Sequence, residues 1–160
     1  MNRPLLLIDI DGVISLFGFD PGRPPLGTFV SVDGIAHFLS SVAAEQLLAL
    51  NGPFELAWCS GWEEKADEYL PLALGLPRGL PHVEFERGGD SDGRHWKLAA
   101  IDRFAGPRPL AWIDDGHDPS CERWAATRGP PTLLVTTEPA TGLTPGHSQT
   151  LTEWARALRV

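Results

Sequence analysis

Positive charge is scarce in this chain of 160 residues. It carries 13 basic residues against 21 acidic ones, for a net charge of −8. That balance disfavours broad electrostatic binding to nucleic acid or to an anionic membrane. Lysine is rarer still, because only Lys65 and Lys97 are not arginine. In a chain so biased, a lysine can mark a place where arginine would not serve. Cysteine is nearly absent: Cys59 and Cys121 form no Cys-x-x-Cys pair, so neither a disulfide scaffold nor a zinc site is indicated. Long apolar runs are absent as well. Leu5 to Ile8 is stopped by Asp9, far too soon for a signal peptide or a membrane-spanning helix. We therefore expect a cytoplasmic protein with no membrane partner. What the chain does have is ordinary globular material: 42% hydrophobic and 21% charged residues. Its 17 glycines and 15 prolines imply tight loops. The length suits one domain over 1–160 with one substantial core.

The apolar segments suggest alternating strands and helices. Pro4 to Ile10 is an unbroken apolar stretch ending in acid, as expected of a strand buried on both faces. Ser15 to Val32 is rich in glycine and proline, with short aromatic and β-branched runs, which predicts a small irregular hairpin at about 16–32. Asp33 is placed as the cap of a helix reaching about Leu50, with Ile35, Phe38, Leu39 and Val42 on one face. Phe54 to Cys59 reads as a second buried strand, followed by a helix from near Glu63 to Leu74. A short strand is expected at Pro81 to Phe85, a Gly/Asp-rich loop at Arg87 to Arg94, and a helix at His95 to Ala105. Leu110 to Ile113 reads as a strand ending in Asp114-Asp115. Asp118-Pro119 opens a helix that stops at Gly129, and Thr132 to Val135 is a further strand. Thr150-x-x-Glu153 has the form of a capping box for the last helix. Strand-helix alternation of this kind predicts a parallel sheet with helices on both faces. Sites in such sheets form at the carboxyl ends of the strands.

Polar residues collect at that edge: Asp9-Ile10-Asp11-Gly12, Ser60 and Asp114-Asp115, with Lys97 near the start of a helix. Clustered carboxylates repel one another, and a hard divalent cation such as magnesium would neutralise them. Asp9 and Asp11, two apart in an extended segment, face the same side. Gly12 lets the backbone turn away and approach a ligand. One aspartate can attack phosphorus to form an aspartyl-phosphate. The second carboxyl can protonate the leaving alcohol and then activate water. Ser60 and Lys97 can hold the phosphoryl oxygens.

This series resembles the four motifs of the haloacid dehalogenase (HAD) phosphatase superfamily: Asp-x-Asp-Gly, serine at a strand end, lysine, and Asp-Asp after a strand. It spans residues 9 to 115. The segments Leu7-Ile-Asp-Ile-Asp-Gly-Val13, Trp58-Cys-Ser-Gly-Trp-Glu-Glu64, His95-Trp-Lys97 and Ala111-Trp-Ile-Asp-Asp115 are similar to the HAD domains of "Swiss Army knife" RNA-repair proteins. So are Gly142-Leu-Thr144 and Leu151-Thr-Glu-Trp-Ala155. The resemblance implies a Rossmann-like α/β fold and a magnesium-dependent phosphatase. Asp9 matches the nucleophile and a metal ligand. Asp11 matches the general acid/base, with its backbone carbonyl a second ligand. Ser60, with Gly61, and Lys97 match the phosphate-holding groups, and Asp114 and Asp115 complete the metal site, with Asp115 favoured as the direct ligand. The stretches between the motifs leave no room for a folded cap, which implies bulky substrates such as polynucleotide ends, or nucleotides. The segment at 16–32, with Phe17, Phe19 and Phe29, would then act as a small flap.

Each feature also has a plainer explanation. Ser60-x-x-Glu63 can simply cap a helix. Lysines usually sit in solvent. Asp114-Asp115 can cap a helix, and most tryptophans are core, with Trp62 the best placed to touch substrate. His95, His117 and His147 share no ligand spacing, and His95 is the nearest to substrate. Cys59 reads as core. Three other functions compete: a receiver-like signalling domain, disfavoured because Lys97 precedes the Asp-Asp pair; a metal-dependent nuclease; and a binding module without turnover.

Overall fold

The computed structural model describes residues 2–87 and 93–159. Its centre is a four-stranded parallel sheet. Strand β1 (Leu5–Ile8) is fully buried and pairs on both edges. We number the other strands in chain order: β2 (Ser15–Leu16), β3 (Gly27–Val32), β4 (Ile35–Ser40), β5 (Glu55–Trp58), β6 (Leu110–Asp114) and β7 (Thr132–Thr136). The parallel sheet has the order β5-β1-β6-β7. Among the described residues five helices accompany it: α1 (Ser41–Leu50), α2 (Lys65–Leu74), α3 (Leu98–Ala105), α4 (Pro119–Thr127) and α5 (Pro145–Ala157).

Alternation along β1 sorts the core into two layers. Leu6 and Ile8 point into one, with Ala111, Ile113, Leu56 and Trp58, and residues from α1, α2 and α5 cover them. Leu5 and Leu7 point into the other, with Leu110, Trp112 and Ala57, under α3 and α4. Both faces are thus dry, which explains why β1 is a continuous apolar run and not an alternating one. Removing one of these side chains, as in Leu6→Ala, would cost about 2–5 kcal/mol.

Order and direction in the sheet position the site. The chain leaves β1 toward β5 on one side, then crosses to β6 on the other. The strand order therefore switches at β1, and a crevice opens at the carboxyl ends of β1 and β6. Asp9 follows β1 directly, and Asp114 ends β6.

Several elements differ from the sequence expectation. The antiparallel flap is larger than 16–32: a three-stranded sheet of order β2-β4-β3, spanning residues 15–40. Asp33 does not cap a helix. It sits in the tight turn between β3 and β4 with φ 51°, followed by Gly34 at φ 81°. Asp-Gly with both residues at positive φ is the favoured two-residue hairpin turn, and it overrides the helical spacing of Ile35, Phe38, Leu39 and Val42. Helix α1 begins only at Ser41, where the Ser40 hydroxyl accepts from the Ala43 N–H at 3.0 Å. The last helix also starts earlier than Thr150. Thr144 caps it reciprocally with His147, and Pro145 holds the first helical position. Pro81–Phe85 contributes only a single parallel bridge between Trp58 and His82. Of the loop expected at 87–94, residues 88–92 lie outside the described residues. Among the described residues, no helix is long and apolar enough to cross a membrane.

Candidate active site

The sheet ladder continues just past β1, with the Asp9 N–H donating to the Ile113 carbonyl at 3.0 Å. The chain then curls: the Ile10 carbonyl accepts from the N–H groups of Val13, Ile14 and Ser15. Gly12 turns this loop at φ 81°, a conformation L-residues resist, and a Cβ there would collide with the Asp115 carboxylate. Its carbonyl accepts the Thr137 hydroxyl at 2.8 Å. Gly12 thus lets the first loop and the Asp114-Asp115 segment close against each other.

Lys97 lies immediately before α3 and is only 4% exposed. Its ammonium meets three acceptors: Asp114 Oδ2 at 2.7 Å, the Cys59 carbonyl at 2.9 Å and Asp9 Oδ1 at 3.1 Å. It thereby ties together the ends of β1, β5 and β6. Carboxylate oxygens of Asp9, Asp114 and Asp115 all lie within 4.8 Å of one another. Asp114 Oδ1 accepts from the Gly116 N–H at 2.9 Å, which fixes its orientation.

The electrostatics are unbalanced. Burial, reinforced by the Asp114 charge against the pull of Lys97, pushes the Asp9 carboxyl up to about 7. Burial and Asp114 also raise Asp115. Lys97 stays above its ordinary value, because its two carboxylate partners outweigh its desolvation. One ammonium therefore faces three carboxyl groups. The excess negative charge and the all-oxygen donor set suit a hard divalent cation such as magnesium, held by Asp9, Asp114 and Asp115.

The open space in front of this cluster is a cleft of about 440 Å³. Asp9, Asp11, Ser60, Gly61, Lys97, Asp114 and Asp115 all line it, so the structure brings these sequence-predicted residues to one place. Ser60 is buried, and its Oγ accepts from the Trp62 N–H at 3.2 Å. It does not cap α2, which begins five residues later with no side-chain cap. Trp62 is not in the cleft lining: its indole N–H donates to Asp11 Oδ2 at 3.2 Å. Gly12 lies behind the cleft, against Asp115.

Three neighbours, His37, Gly116 and Thr137, have no signal in the motifs, whereas Trp96 belongs to the His95-Trp-Lys97 segment. His37, on β4, stacks edge-on against Trp62 with ring centroids 4.8 Å apart. Its Nδ1 lies 3.8 Å from Asp11 Oδ1 and 3.0 Å from the Ser15 hydroxyl. Trp96 and Gly116 line the cleft, and Thr137 braces Gly12. His95 lines it too, and accepts the Lys97 N–H on Nδ1 at 3.2 Å. Burial holds His95 below its usual range and His117 down at about 4, so both are neutral near pH 7. Cys59 is fully buried and its thiol is pushed far up, which leaves it inert as a nucleophile.

No family model matches the chain, and no curated protein matches it. Among solved structures, it is similar to a Vibrio cholerae protein assigned as a 3-deoxy-D-manno-octulosonate 8-phosphate phosphatase. The two share 16% identity with a TM-score of 0.45, over 99% of this chain and 86% of the other. The chemistry open to this cleft is therefore set by its own side chains.

Proposed function

We propose that this chain is a magnesium-dependent phosphatase of HAD type that hydrolyses phosphate monoesters through an aspartyl-phosphate on Asp9. The observation that carries the reading is the Lys97 ammonium held between Asp9 and Asp114, beside Asp115, at the switch point of a parallel sheet. A buried cluster so short of positive charge is costly unless a cation completes it.

In the first step an Asp9 oxygen attacks phosphorus. The bond from phosphorus to the ester oxygen breaks, and Asp11 gives that oxygen its proton. In the second step Asp11, now ionised, takes a proton from water, and the water oxygen attacks phosphorus. The bond to Asp9 breaks, releasing phosphate and restoring both carboxyl groups. Lys97 and Ser60, with the Gly61 backbone, bind the phosphoryl oxygens as negative charge moves onto them. Lys97 already uses three acceptors, so it exchanges at least one when the phosphoryl group arrives. Trp62 holds Asp11 toward the leaving oxygen. Asp9, Asp114 and Asp115, with the Asp11 backbone carbonyl, would hold magnesium, which would offset the charge of the carboxylates and of the phosphoryl oxygens.

The substrates are nucleotides or phosphorylated nucleic-acid ends, in a cytoplasmic setting related to RNA repair. That part rests on the likeness of the motifs to the RNA-repair HAD domains and on the lack of a cap domain among the described residues. The test is hydrolysis of an aryl phosphate by the purified protein. Turnover should stop with EDTA, return with magnesium and be absent in Asp9→Asn. Retained turnover in that variant refutes Asp9 as nucleophile. A nuclease or a binding module predicts no monoester hydrolysis at all.

A further inference from the structure

A second cleft, of about 520 Å³, opens in the flap beside the first, and Asp11 borders both. Its wall is aromatic. Phe19 and Phe29 pack against Phe38 with ring centroids 4.9 and 5.1 Å apart, tilted by 56° and 76°. Phe17 and Phe29 stay 51% and 68% exposed, although they flank a buried aromatic neighbour. Apolar rings left open in a cleft are costly in solvent and are suited to a ligand ring.

Chemistry fixes which part of a substrate lies there. The group that protonates the leaving oxygen must touch it, so the alcohol half of the ester lies on the Asp11 side. On that side is the flap cleft, while Lys97 and Ser60 hold the phosphoryl side. Ser15 and His37 also line it, with His37 Nδ1 and the Ser15 hydroxyl 3.0 Å apart, on the face of the flap sheet opposite Phe29 and Phe38 and beside Asp11. Exposed aromatic rings beside a polar edge suit a flat heterocycle. No lysine or arginine lines this cleft, so nothing in it grips a chain of further phosphates.

From this we infer that the flap cleft is a leaving-group subsite for a nucleobase, seated among Phe17, Phe29 and Phe38, and that the substrate class is free nucleoside monophosphates. The inference rests on the phosphatase reading above and narrows it to free nucleotides.

The test compares two esters that differ only by the base: adenosine 5′-monophosphate and methyl riboside 5-phosphate. Their leaving oxygens are alike, so the ratio of kcat/KM isolates the base. Base-on-aromatic stacking predicts a preference on the order of tenfold or more for the nucleotide. Phe17→Ala and Phe29→Ala, both at exposed positions, should bring that ratio toward one, chiefly through KM. Equal kcat/KM for the two esters in the unaltered protein overturns the inference. So does a ratio that survives both variants, or a 5′-phosphorylated oligonucleotide that outpaces the mononucleotide. If neither ester is hydrolysed, the phosphatase reading fails by itself, and calorimetry with magnesium and adenosine 5′-monophosphate still tests the cleft. Binding that weakens in Phe29→Ala upholds it, and binding no tighter than that of the riboside phosphate overturns it.

Discussion

Replacing Asp9 by asparagine should make the magnesium-free protein more stable while ending turnover. Asp9 is buried at 7% exposure, with two further carboxyl groups and a single ammonium around it. Its carboxyl rises from an ordinary 3.8 to about 7. The sign follows from proton counting. Between pH 4 and 7 the folded protein binds the Asp9 proton more tightly than the unfolded chain does, so stability falls as pH rises through that window. Above pH 7 the whole cost of the buried charge is present. A shift of about three pH units corresponds to a ceiling of about 4 kcal/mol. Asparagine gives up the attraction to Lys97 and still buries a polar amide, so the expected gain is about 1–3 kcal/mol at pH 8. At about 2–4 °C per kcal/mol for a chain near this size, the melting temperature should rise by several degrees. The assay is urea unfolding in EDTA from pH 5 to 8, read as the difference between the two proteins. That difference should be small at pH 5 and grow toward pH 8. Excess magnesium should then favour the unaltered protein, because it binds the folded carboxylates. An Asp9→Asn protein no more stable than its parent at pH 8, or a difference that does not change with pH, would refute this electrostatic account.

Lys97→Met should do the opposite, leaving Asp9 and Asp114 buried without their cation. Unfolding in EDTA at pH 8 should show a loss of about 3–5 kcal/mol, partly restored by magnesium or by lower pH. Gly12→Ala forces a side chain into the Asp115 carboxylate at φ 81°. Calorimetry should find magnesium binding weakened, and thermal unfolding should find a loss of at least about 1–2 kcal/mol. Trp62→Phe removes the hydrogen bond to Asp11 and keeps a ring there. kcat should drop by about tenfold for alkyl phosphates, and by much less for aryl phosphates, whose leaving oxygens need little protonation. Magnesium uptake should release protons near pH 7, since Asp9 must ionise to bind it. Calorimetry in two buffers of different ionisation heat measures that release, and identical heats would contradict it.

The central sheet was readable because its physics is local. Leu5 to Ile8 is apolar at every position, as suits a strand covered on both faces. The cleft was readable for a related reason: each acid sits at the end of an apolar run, and a parallel sheet brings such ends together. The flap was less so. Ile35, Phe38, Leu39 and Val42 have helical spacing, and the Asp33-Gly34 turn that overrides it was read as a cap. That error hid His37, which belongs to a strand beside Trp62 and Asp11. Trp62 was expected to meet substrate; its indole N–H bonds Asp11, a contact that depends on a rotamer and not on spacing. Thr137 takes part through a contact between distant loops, for which no local pattern exists, while Gly116 sits two residues past Asp114 and donates to it. Thr150 and Thr144 both offer plausible caps. Pro145 at the first helical position decides for Thr144.

Beryllium fluoride with magnesium tests the nucleophile most directly, because it mimics a phosphoryl group bonded to a carboxylate oxygen. A crystal structure of that complex should place beryllium on an Asp9 oxygen, with its fluorides against Lys97 and Ser60. Beryllium bonded to Asp11, Asp114 or Asp115, or no adduct in this cleft at saturating magnesium, would contradict the assignment of Asp9.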